Sequence, residues 1–483
     1  MAPRWRVVII VLIVCAANLG AGQGALLAQT TVPSIPSFDR IVTGLMLKNG
    51  IPGGAAAVAK DGRLVMARGY GLADVELNQL VQPDSLFRIC SVSKPITAVA
   101  ILKLVEEGRL DLDAKAFRML DHLKPPTEAS VDPRIYDITI RQLLQHSGGW
   151  DSRRPDVLDP VFIPQKAAKE VGAPSPANPE TLIRYVLGQR LDFDPGTRYA
   201  YSNFGYCVLG RIVEKITGQS YEQYVKSEVL RPIGITRIRI GHTFLAGRAE
   251  GEVRYYDYPK APLVESVFPN VTGRIPAPYG QVCIETSDSC GGWIASAIDL
   301  VRFAIAIDGR RPPALLRSET LQLMTARPPP PLWVGTFYYY GLGWDITPIA
   351  GTTGRWWHTG SLPGSFSILV RTHDGYAWAA LFNSAPEWGP SVTKFYNELN
   401  QSLWQAAREV TEWPAHDLFS RYQMSSTTGP VTSIVPTASV SSPTALLLIA
   451  DYTPFVAVIS VGVLVLTIGI KTSRRRGRNR NRE

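Results

Sequence analysis

The sequence predicts an α+β domain, and three observations carry that prediction. Strand-like apolar runs occupy both ends of the folded region, and each end holds an Asp-Gly pair of the kind that closes a two-residue hairpin. The stretch between them reads as helices. The chain therefore runs helix and strands, then helices, then strands and a helix, without the strict alternation of a doubly wound parallel sheet.

In order along the chain, "FDRIVTGLMLKNG" reads as a helix that ends at Gly50. "GGAAAVAKDGRLVMARGYG" follows as two strands joined at Asp61-Gly62. "SVSKPITAVAILKLVEEG", from Ser91 to Gly108, is an apolar helix with polar residues at its mouth. The central third supplies "PETLIRYVLGQ", "FGYCVLGRIVEKITG" and "SYEQYVKSEVL", with Gly218 as a stop signal. "FYYYGLGWDI" and "SFSILVRTHDGYAWAALFN" return to strands, the latter turning at Asp374-Gly375, and "SVTKFYNELNQSLWQAAREV" closes the domain as a helix. The folded domain is expected over 31–422, with a helical insertion at about 111–290.

The ends differ in character. Two arginines, an apolar run from Val7 and then small residues give residues 1–28 the layout of a secretory signal peptide. Residues 424–444 are rich in Ser, Thr and Pro and carry no charge, as a linker does. Residues 452–470 are uncharged, long enough as a helix to span the hydrocarbon of a bilayer, and followed at once by a basic tail at 471–483. The expectation is a single-pass membrane protein with its catalytic domain outside the cytoplasm and its C-terminus inside. The formal charge of +9 sits mostly at these ends: +6 in the tail and +2 from Arg4 and Arg6, which leaves +1 for the rest. That near-neutral body argues against a nucleic-acid partner.

Of the five cysteines, Cys15 lies in the signal segment and Cys90, Cys207, Cys283 and Cys290 remain. Cys283 and Cys290 are the nearest pair; spacing alone leaves their bridging open. The six histidines are scattered, so no metal site is expected and no cofactor is called for. Asn270 and Asn400 head glycosylation-type tripeptides, which matter only in a eukaryotic secretory pathway.

Ser91 and Lys94 stand three apart, so a helix starting at Ser91 puts both on one face, with Lys94 Nζ in reach of the serine hydroxyl. Burial and the positive field of a helix N-terminus disfavour a charged lysine and suit it to act as a base. Ser-x-x-Lys alone is weak evidence; on the order of one match is expected by chance in this length. Ser391 and Lys394 have the same spacing. Support comes from Tyr201-Ser202-Asn203, in a polar loop before a helix, where a phenol could relay a proton and an amide could hold both lysine and substrate. Read alone, Tyr201 is better explained as a half-buried aromatic and Asn203 as a helix cap. Further support comes from His358-Thr359-Gly360-Ser361, entering a strand: Gly360 would allow close approach, and the Ser361 N–H could join that of Ser91 as an oxyanion hole. The alternative for His358 is a residue that closes a turn.

The motifs SVSK, YSN and HTG, in this order, resemble the serine β-lactamase and penicillin-binding-protein superfamily, most closely its class C-like branch of peptidases, esterases and amide hydrolases. "LDLDAK", "LLQHSGGW" and "GGWIASAIDLVRF" are similar to framework segments of that family. The resemblance covers roughly residues 35–410 and implies an antiparallel sheet flanked by helices with a helical subdomain. It implies Ser91 as the acylated nucleophile, Lys94 as its base partner and Tyr201 as proton shuttle. Asn203, His358, Thr359 and Gly360 would contact substrate, and the N–H groups of Ser91 and Ser361 would form the oxyanion hole. The substrate is then a small or peptide-like ester or amide. The alternatives are a penicillin-binding sensor that is acylated without efficient turnover, and a β-lactamase. Histidine in place of the lysine many β-lactamases carry is only partly charged near neutral pH and would hold a substrate carboxylate weakly.

Overall fold

The computed structural model describes residues 33–422, apart from 128, 153–157 and 388. Helix α1 (Pro36–Asn49) opens it and ends at Gly50, whose φ of 64° is the left-handed cap that glycine adopts without strain. Strands β1 (Gly53–Lys60) and β2 (Arg63–Asp74) follow as a hairpin across Asp61-Gly62, and β3 (Gln79–Leu80) extends it. The chain then enters α2 (Ser93–Glu106), a helical middle that includes Pro179–Leu187 and α3 (Asn203–Thr217), and α4 (Ala297–Ala306). Strands β4 (Tyr339–Tyr340), β5 (Asp345–Thr347), β6 (Arg355–Leu362), β7 (Ser365–Thr372) and β8 (Tyr376–Phe382) lead to α5 (Pro390–Glu409).

The strands make one 8-stranded sheet in the order β3-β2-β1-β8-β7-β6-β5-β4. All of its pairings are antiparallel, and the first and last parts of the chain meet where Gly54 pairs with Phe382 and Lys60 with Tyr376. Both faces are covered, which explains why β1 reads "GGAAAVAK" with no polar alternation. Ala55, Ala57 and Ala59 face the core shared with α2 and α4, while Ala56 and Val58 face α1 and α5. Phe38, Val42 and Met46 of α1 and Phe395, Leu399 and Leu403 of α5 close that second layer. Helix α2 is apolar nearly all round because it is buried nearly all round, with Ile96 and residues 98–102 fully enclosed. Sealing one such side chain away from water is worth roughly 1.5–3 kcal/mol. The α+β architecture, an antiparallel sheet flanked by helices, is thus the one expected from the sequence.

Several expectations are corrected. The segment around Ser91 is not one helix: Cys90–Val92 form a 3-10 turn, and the α-helix begins at Ser93. The "SYEQYVKSEVL" helix keeps α geometry only over Tyr221–Tyr224 and widens into a π turn at Val225–Leu230. The bridging that spacing left open at Cys283 and Cys290 does not occur; both are free, as are Cys90 and Cys207. The Cys283 thiol instead accepts from the Thr286 hydroxyl at 3.1 Å, and the Cys290 thiol donates to the Ser287 carbonyl at 3.4 Å.

The membrane-anchored, single-pass reading is also corrected. Among the described residues no helix is long and apolar enough to cross a membrane. The segments on which that reading rested, 1–28, 424–444, 452–470 and 471–483, lie outside the described residues.

Candidate active site

The turn that carries Ser91 is held by the sheet. Strand β7 buries two serines at its start: Ser365 Oγ donates to the Arg88 carbonyl at 2.7 Å and Ser367 Oγ to that of Ile89 at 2.6 Å. Cys90 takes a φ of 50°, unusual for a residue with a side chain. Directly opposite lies Gly360 on β6. A Cβ there would sit 2.7 Å from the Ser91 nitrogen and 2.4 Å from the Ile89 oxygen, so only glycine lets strand and turn approach this closely. Strand β5 pairs with β6 only at residues 355–357, which leaves 358–362 without a β5 partner.

Lys94 is fully buried and donates to three acceptors: Asn203 Oδ1 at 2.7 Å, the Cys290 carbonyl at 2.8 Å and Ser91 Oγ at 3.2 Å. Burial lowers its pKa to about 8, against the opposing pull of Cys290 and Asp159. Its Nζ lies 4.7 Å from the Tyr201 ring centre. Burial pushes the Tyr201 phenol well above its ordinary range, and a bond with the Ser91 hydroxyl pulls the other way, so the phenol is protonated at neutral pH. Ser202, not Asn203, caps α3, accepting from the Gly205 N–H at 3.2 Å, which frees the Asn203 amide for Lys94.

His358 is buried, and its ring centre lies 6.4 Å from that of Tyr201. Its Nδ1 donates to the Thr359 carbonyl at 2.7 Å, and its Nε2 accepts from the Tyr340 hydroxyl at 3.0 Å. Burial, with Lys94 close by, depresses its pKa to about 3. The expectation of a partly charged histidine is replaced by that of a neutral one with both ring nitrogens engaged.

Ser91, Tyr201, Asn203 and Ser361 line one cleft of about 220 Å³, with Asp159, Val161 and Phe162 on its wall. Lys94 lies behind it. Thr359 lines a neighbouring pocket instead. Ser391 and Lys394, of the chance match, are exposed on α5.

Three contributors carry no motif and were not picked out from the sequence. The Asp159 carboxylate accepts from the Asn203 and Phe204 N–H groups at 2.7 and 3.3 Å, which fixes the start of α3; Asp159-Pro160 was a readable cap signal. His146, inside "LLQHSGGW", packs its ring 4.2 Å from that of Tyr201 and accepts the Ser202 N–H at 3.1 Å. The Cys290 carbonyl is a backbone acceptor and leaves no sequence signal.

A family model described as beta-lactamase matches residues 38–401. Protein flp of Staphylococcus aureus (strain COL) is 30% identical over 216 residues, which are 44% of this chain and 40% of flp. Esterase EstB of Burkholderia gladioli is 32% identical over 198 residues, 41% of this chain and 49% of EstB. The matched stretch thus spans less than half the length of these curated relatives. The octameric penicillin-binding protein homologue from Pyrococcus abyssi superposes with a TM-score of 0.58 at 25% identity, covering 77% of this chain and 78% of that one. The D-amino acid amidase from Ochrobactrum anthropi SV3, solved with L-phenylalanine amide, gives 0.55 at 22% identity over 76% and 99%, a likeness of fold alone.

Proposed function

The chain belongs to the beta-lactamase family of serine hydrolases, and on that premise we propose that it is an esterase or amidase of the class C-like branch, acylated on Ser91. The observation that carries the reading is the set of bonds at Lys94. A neutral amine has two N–H bonds and one lone pair. With Asn203 Oδ1 and the Cys290 carbonyl taking both protons, the lone pair is left for the Ser91 hydroxyl. Ser91 Oγ then attacks the substrate carbonyl while Lys94 takes its proton. The oxyanion is held by the N–H groups of Ser91 and Ser361. Tyr201, protonated and bonded to Ser91, passes its proton to the departing alcohol or amine and regains one from the Lys94 ammonium, which resets both groups before water enters. The Asn203 amide nitrogen is free for a substrate carbonyl. Water enters next, loses its proton along the same path and releases the acid.

The described lining favours an acyl group without a carboxylate. Among the described residues that line the cleft there is no Arg, Lys or His, and the neutral His358 has no charge to offer. EstB, named an esterase, supports the same choice. The test is a panel of neutral esters and amides beside a penicillin. The reading predicts turnover of neutral esters or amides with slow or absent penicillin consumption. Rapid penicillin hydrolysis with inert esters would replace it by a β-lactamase.

A further inference from the structure

Ser361 borders the cleft, and the residues that share its side-chain face on β6 look toward α5, opposite the face on which Gly360 meets the Ser91 turn. Thr359, Trp357 and Arg355 line a second pocket there, of about 480 Å³. Same-face neighbours on a strand are about 6.6 Å apart, so Thr359, at the near end of the pocket, stands one such step from Ser361, across the edge of β6 that β5 leaves unpaired. Tyr338 and Trp357 stand with ring centres 6.5 Å apart, and Tyr396 and Trp404 of α5 complete an aromatic enclosure.

Asp345 enters this enclosure from β5. Among the described residues its carboxylate has no hydrogen bond and no ion pair; burial alone acts on it. The one cation in the lining, Arg355, is committed elsewhere, with its guanidinium 4.4 Å from the Trp404 ring centre. Burial raises the Asp345 pKa to about 7, so its carboxyl is partly uncharged at neutral pH, and a cation bound beside it would favour the carboxylate. Aromatic rings attract organic cations, ammonium groups above all. The stacked Arg355 shows that cation–ring packing is already in use in this pocket.

We propose that this pocket is a substrate subsite for an organic ammonium group, received by Asp345 and the rings of Tyr338, Trp357 and Tyr396. The proposal rests on the hydrolase reading of the adjoining cleft. It narrows the substrate to an ester or amide that carries an ammonium group away from the scissile carbonyl.

The experiment compares a choline ester with the 3,3-dimethylbutyl ester of the same acid, which has the same shape without the charge. The wild-type protein is expected to favour the choline ester in kcat/KM by roughly ten-fold or more. Asp345→Asn should bring that ratio close to one and leave the neutral ester's rate in place. Nα-acetyl-lysine and Nα-acetyl-norleucine methyl esters repeat the comparison: preference in the first pair assigns a quaternary ammonium, in the second a primary one. Equal rates within both pairs, or a preference that survives Asp345→Asn, would overturn the proposal. Should no ester turn over at all, the hydrolase reading fails and the pocket is read by itself. Saturable quenching of tryptophan fluorescence by choline but not by 3,3-dimethylbutanol, lost in Asp345→Asn and in Trp357→Leu, upholds the pocket; no saturable quenching overturns it.

Discussion

The chemistry turns on the protonation of two side chains. In the proposed reaction the neutral form of Lys94, at about 8, takes the serine proton, and its neutral fraction grows as pH rises. kcat/KM for a neutral ester should therefore climb with pH and level off above about 8. His358, at about 3, is neutral throughout that range and should add no inflection near 6 to 7. A pH–rate profile checks both; a limb near 6.5 that disappears in His358→Gln would contradict the neutral histidine. Tyr201→Phe removes the shuttling proton but keeps the ring that packs on His146. It should lower kcat by about 10²–10⁴-fold with the melting temperature nearly unchanged. At this scale the sequence was legible where spacing encodes contact, as in Ser91 and Lys94, three apart. The residues Tyr201, Asn203 and His358 could be chosen only through a resemblance, because tertiary folding brings them in. The neutrality of His358 was hidden, since it follows from burial and from the nearby Lys94.

The elements around the nucleophile act as a clamp. Strand β7 grips the Arg88 and Ile89 carbonyls through Ser365 and Ser367, and Gly360 lets β6 close on the Ser91 N–H. Gly360→Ala drives a methyl group into that backbone. It should cost about 1–3 kcal/mol of stability and reduce kcat further than that loss of fold explains, as read from denaturation midpoints beside single-turnover rates. Unimpaired acylation in Gly360→Ala would show that the nucleophile does not need this close approach. The two hairpins were readable because Asp-Gly is a local turn signal. The 3-10 turn at Cys90–Val92 was not, since the sheet, through hydrogen bonds from β7, sets its conformation. The π turn at Val225–Leu230 likewise has no local signature.

Across the whole molecule, the sheet joins the two ends of the domain, so its closing residues matter. Asp417 accepts the Leu64 N–H at 3.0 Å and pairs with Arg311 at 2.7 Å. Phe419 is fully buried between the guanidinium groups of Arg302 and Arg311, 4.5 and 4.4 Å from its ring centre. A chain of residues 33–422 should fold and keep the proposed esterase activity. Ending it at 412 should cost about 3–5 kcal/mol through the loss of Phe419, seen as a lower denaturation midpoint. Equal midpoints would show that the closing segment is dispensable. The α+β plan was legible from the order of periodic runs. The coverage of both sheet faces was readable only in part, from the unbroken apolar character of β1.

The most direct test is the intact mass of the protein followed in time after mixing with an activated neutral ester, with Ser91→Ala and Ser391→Ala in parallel. Acylation on Ser91 predicts a transient gain of one acyl group in the wild type and in Ser391→Ala, mapped to Ser91, and none in Ser91→Ala. An adduct that persists in Ser91→Ala, or ester turnover without any adduct on Ser91, would contradict it.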